Sequence, residues 1–78
     1  MAKTKAEESE SGCWAKAADD EPVFVLRATD RAAPLAVRAW IEHARRVGCT
    51  NQEKLKAAAE VADAMETWQR ERGSKAPD

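Results

Sequence analysis

Tyrosine is absent from this 78-residue chain, phenylalanine occurs once, and glycine and proline supply three residues each. The glycines are Gly12 near the start and Gly48 and Gly73 at two expected helix ends, so no glycine-rich loop is available to cradle a phosphate. His43 is the sole histidine, and its chain neighbour Glu42 would point to another side of a helix. No HExxH, CxxC or GxSxG pattern occurs either, and an enzyme is not expected. The two cysteines, Cys13 and Cys49, lack paired metal-ligand spacing, which leaves a zinc site with His43 unsupported. A Cys13–Cys49 disulfide would tether the N-terminal tail, but with no secretory signal upstream the expectation is a cytosolic, reduced chain. No long apolar run interrupts a mean hydropathy of -0.67, so no membrane span is expected. A chain of 8.6 kDa forms one small domain at most and has no room for a cofactor fold beside a substrate domain. Neither a cofactor nor a metal is expected.

What the chain does have is charge, laid out in blocks. The formal net charge is only -1, which does not advertise a nucleic-acid binder. Residues 1–21 nevertheless set Lys3, Lys5 and Lys16 against Glu7, Glu8, Glu10, Asp19, Asp20 and Glu21. The stretch 22–49 reverses this, with Arg27, Arg31, Arg38, Arg45 and Arg46 against Asp30 and Glu42. The remainder mixes both signs, as a solvated helix does.

Residues 1–21 hold too little apolar surface to offset chain entropy and are expected to be a disordered acidic tail. Trp14 is their exception, either a docking anchor or a partner contact. Pro22-Val23-Phe24-Val25-Leu26-Arg27-Ala28 is the one strand-like run, β-branched and aromatic and opened by proline. With no second strand in the chain, it either lies over the helices or pairs with a second copy. Thr29 or Asp30 is expected to cap a first helix with Pro34 in its first turn. Val37, Trp40, Ile41, Ala44 and Val47 would form its apolar stripe. Gly48 should stop it, and Thr50-Asn51-Gln52-Glu53 should open a second helix as a capping box. That helix would present Leu55, Ala58, Val61, Ala62, Met65 and Trp68 on one side, turn Glu60, Asp63 and Glu66 away, and end at Gly73, with 73–78 fraying. The expected fold is mainly α: a disordered tail (1–21), then one short strand and an antiparallel helical hairpin (22–72).

A hairpin with one strand buries little apolar surface by itself, so a homodimer or docking on a larger partner is expected. Val23, Phe24, Val25, Leu26, Trp40 and Trp68 are the interface candidates, although Trp40 and Trp68 fall on apolar helix faces where core packing is the ordinary role. Arg31, Arg38 and Arg45 recur at a spacing of seven with Arg27 nearby, a stripe that could bind an anion such as a nucleic acid, a nucleotide or an acidic protein patch. The plainer reading pairs these arginines with Glu42 or with acids of the second helix or the tail.

The segment Asp20-Glu21-Pro22-Val23-Phe24-Val25-Leu26-Arg27-Ala28-Thr29-Asp30, with Ala33-Pro34, Val37-Arg38-Ala39-Trp40 and Ala62-Asp63-Ala64-Met65-Glu66-Thr67-Trp68-Gln69, resembles a family of small uncharacterised proteins encoded by tailed bacteriophages and prophages. The resemblance spans about residues 20–69 and implies a phage origin and a bacterial cytoplasm, with no assigned activity. Small phage accessory proteins often act by binding host machinery, including as antagonists of host defence. The resulting expectation is a non-enzymatic phage accessory that binds and modulates a host protein. Nucleic-acid or nucleotide binding by the arginine stripe, and a structural or assembly role in the phage, are the alternatives.

Overall fold

The computed structural model describes Lys5 and residues 13–76. Its helices are α1 (Cys13–Lys16), a single turn, then α2 (Ala33–Arg46) and α3 (Gln52–Arg72). The protein is mainly helical, and α2 and α3 form the antiparallel hairpin that the periodicity predicts. Of the tail expected to be disordered over 1–21, residues 13–21 hold α1 and a turn in which Glu21 N donates to Ala18 O; the rest, Lys5 apart, lies outside the described residues.

Each helix end has a local cause. Pro34 sits in the first turn of α2, where its missing N–H has no intrahelical partner to lose. The N-cap is Ala32, which makes no side-chain cap, so neither Thr29 nor Asp30 occupies the expected position. Asp30 acts two residues earlier: its carboxylate accepts from Ala32 N at 2.8 Å and its carbonyl from Ala33 N at 3.0 Å, closing the turn that feeds the helix. At the other end Gly48 has φ 95°, and Gly48 N donates to Arg45 O while Cys49 N reaches back to Ala44 O at 2.9 Å. This pair of bonds is a Schellman motif, and Cys49 supplies its apolar contact by packing against the Ile41, Ala44 and Leu55 cluster. Cys49 is thus a free, half-buried thiol with a packing role.

The cap of α3 lies one residue later than the Thr50–Glu53 box requires. Asn51 is the N-cap and its side chain accepts from Lys54 N at 3.1 Å. Gly73 ends the helix, as expected, with φ 86°. The residues after it do not fray at once. Lys75 N donates to Thr29 O and Lys75 O accepts from Arg31 N, forming a parallel bridge between Asp30 and Lys75. Arg31 adds bonds from Nε to Ser74 Oγ and from its guanidinium to Ser74 O. Gln69 completes this clasp, its amide donating to Ala28 O at 3.0 Å and to Asp30 O at 2.9 Å.

That bridge is the only β pairing among the described residues, and the strand expected over 22–28 is not formed. The run has strand-forming side chains but no neighbour to complete a ladder, and propensity without a partner does not make a strand.

The core is thin. Ile41, Ala44 and Leu55 form its buried cluster, with Val37, Cys49, Ala58 and Ala59 packed around it. Ala33 and Ala62 are fully buried, so small side chains let the helices approach. Trp40 and Trp68, expected in the core, are 46% and 37% exposed, and Val47 is exposed with them. They lie at the flank of the apolar stripes, and a hairpin of two helices has no third layer to cover that flank.

Candidate binding surface

The arginine stripe does not assemble into an open anion site. Arg38 donates to Asp63 at 2.8 Å and to Glu66, so one guanidinium is held by two acids of α3. Those hydrogen bonds, Glu66 first and then Asp63, raise the already high pKa of Arg38. Asp63 and Glu66, expected to face solvent alone, are the partners that the plainer reading of the arginines requires. Arg45 donates to Glu42 at 3.1 Å within α2. Arg31 precedes α2 instead of lying on it, because the helix begins at Ala33, and two of its guanidinium nitrogens donate to Ser74. Arg27 is exposed at the end of the unpaired run. A phosphate approaching this stripe would have to compete with three ion pairs and with the bonds from Arg31 to Ser74.

The ion pairs orient the hairpin. Because Arg38 reaches Asp63 and Glu66, these residues mark one broad face of the helix pair. At about 100° per residue, Ala36, Trp40, His43 and Val47 follow the i, i+4, i+7, i+11 spacing on the opposite flank of α2. Val61, Met65, Trp68 and Arg72 follow the same spacing on the flank of α3 that meets it. One broad face is therefore ionic, and the other carries both α-hairpin tryptophans. Ala36, Trp40, His43, Val47, Trp68 and Arg72 are exposed there, while Val61 and Met65 are half-buried between them. Arg72 covers the Trp68 ring, with its guanidinium carbon 4.0 Å from the ring centroid. That contact places a cation at the rim of an aromatic patch.

A second apolar surface precedes the hairpin. Val23, Phe24 and Val25 are 51%, 85% and 64% exposed, and Leu26 is half-buried. Trp14 is also exposed and shares with Val23 an open groove of about 190 Å³, whose other lining residues include Asp19 and Glu21. All six apolar interface candidates named from the sequence thus reach solvent to some degree, on two surfaces. Sequence reasoning missed Gln69, Ser74 and Lys75, which pin the Ala28–Arg31 turn. A glutamine inside a polar helix has no distinguishing local pattern, and its role exists only once the turn lies against it.

Among the described residues no group of three or more His, Cys, Asp or Glu side chains is placed to hold a metal ion. Also among the described residues, no helix is long and apolar enough to cross a membrane. Comparison with protein-family models, with curated proteins and with solved structures finds no match to the chain.

Proposed function

We propose that this chain is a non-enzymatic phage accessory protein that binds and modulates a host protein in the bacterial cytoplasm, and that the tryptophan face of the α2–α3 hairpin is the surface it uses. One observation carries the reading: a hairpin this small leaves Trp40 and Trp68 46% and 37% exposed on the face opposite its ion pairs. Large aromatic side chains that are partly exposed, close to other apolar groups and rimmed by arginine are the usual anchors of protein–protein interfaces. The commitment of Arg31, Arg38 and Arg45 to partners within the chain favours a protein ligand over a phosphate-rich one. The phage origin rests on the sequence resemblance over residues 20–69.

The test is capture from a bacterial lysate by the tagged full chain, run beside Trp40→Glu with helicity matched by circular dichroism. The reading expects a host protein retained by the wild type and lost by the variant. Retention of nothing above background by the folded protein, or equal retention by both, would refute it.

A further inference from the structure

We infer that residues 21–27 pair antiparallel with the same residues of a second copy of this chain, about a two-fold axis at Phe24. The surface differs from the tryptophan face of the hairpin, so either proposal can fail without the other.

The argument begins with the main chain. Among the described residues, the N–H and C=O groups of 22–26 make no hydrogen bond, although the side chains of this run favour a strand. Immediately beyond it, Arg27 O accepts from Asp30 N, and Gln69 fixes Ala28 and Asp30 to α3. An unpaired, apolar strand-former is therefore held at one end on a folded support. A segment in this state is a template for a second strand.

Charge selects the occupant. Asp19, Asp20 and Glu21 precede the apolar run and Arg27 follows it. Antiparallel self-pairing sets the acidic end of each copy against the basic end of the other, whereas parallel pairing would oppose like charges at both ends. Centring the axis on Phe24 places Glu21 opposite the second copy's Arg27, Pro22 opposite Leu26, Val23 opposite Val25, and Phe24 opposite itself. Each apolar residue then meets an apolar residue and each charge its opposite. A slip of one residue would set Glu21 against Leu26 or Ala28 and lose this match. Pro22, which has no N–H, falls near the strand's start, where the ladder loses least. Val23 already lines a groove with Trp14, so the ribbon has an aromatic side chain beside it. Closed two-fold pairing also satisfies both copies equally.

The test is sedimentation equilibrium of the full chain over a micromolar-to-millimolar series, with circular dichroism confirming equal helicity of every variant. The wild type should show a monomer–dimer equilibrium. Arg27→Glu turns two attractive cross-strand pairs into repulsive ones and should weaken the dimer by about tenfold or more. Adding Glu21→Lys to Arg27→Glu should recover it, and Trp40→Glu should leave it unchanged. A chain that stays monomeric, a dimer indifferent to Arg27→Glu, a double variant that does not recover, or a dimer lost in Trp40→Glu each overturns the inference.

Discussion

Replacing Gln69 with glutamate keeps the side chain's size and removes its ability to donate. The amide of Gln69 serves Ala28 O at 3.0 Å and Asp30 O at 2.9 Å in a part-buried position, so a carboxylate there would face two carbonyl oxygens. Two lost hydrogen bonds at about 1 kcal/mol each, with the repulsion added, give a destabilisation of about 2–3 kcal/mol at pH 7. With a urea m-value of about 1–3 kcal/mol/M for a small protein, the unfolding midpoint of Gln69→Glu should fall by about 1–3 M. The deficit should also depend on pH in a defined direction. The two carbonyls favour the protonated acid, so the new carboxyl group's pKa in the folded state lies above its unfolded value of about 4.3. The folded variant then binds its proton more tightly than the unfolded one, and the penalty is complete above the raised pKa. It shrinks as the pH falls through that pKa toward about 4.3, where the neutral acid can donate one bond again. Urea titrations of both proteins at pH 7 and at pH 4 read this directly. Equal midpoints at pH 7, or a deficit that does not narrow in acid, would show that the Gln69 clasp does not hold the Ala28–Arg31 turn.

Two further substitutions separate backbone from surface effects. Gly48 has φ 95° and open space where a Cβ would stand, so Gly48→Ala meets strain without a clash and should lower stability by about 1–2 kcal/mol in thermal or urea unfolding. An unchanged midpoint would mean that the α2–α3 turn does not require the left-handed residue. Arg38→Met removes a solvent-exposed guanidinium from Asp63 and Glu66 and should leave the urea midpoint close to that of the wild type. A large fall would assign the ionic face a structural role that exposed pairs seldom have.

Much of the hairpin was legible in the chain itself. The positions of Ile41, Ala44, Leu55 and Ala62 at helical spacing, with glycines at 48 and 73, determine two amphipathic helices and where each stops, because periodicity and positive-φ termini are local properties. The short connection through Gly48 and Cys49 makes them antiparallel. The pairing of Arg45 with Glu42 was also within reach, since an i, i+3 pair on one helix is visible in one dimension.

What the sequence could not decide depends on which surfaces meet. The periodic pattern assigned Trp40, Val47 and Trp68 to the apolar stripes, but two helices cover only the centre of each stripe, so these residues remain on an open flank. Asp30 matched a helix cap in pattern and instead closes the turn before the helix, and the Thr50–Glu53 box gave way to Asn51. The strand-like run 22–28 has no ladder because a strand is a relation between two segments, and no second one pairs with it among the described residues. Ser74 and Lys75 looked like a fraying end until the turn at Thr29–Arg31 lay beside them. The sequence alone determined the two helices and their glycine stops, because those follow from bonds within a few residues. Tertiary structure alone decided the clasp and the ionic and aromatic faces, because each needs residues far apart in the chain to lie side by side.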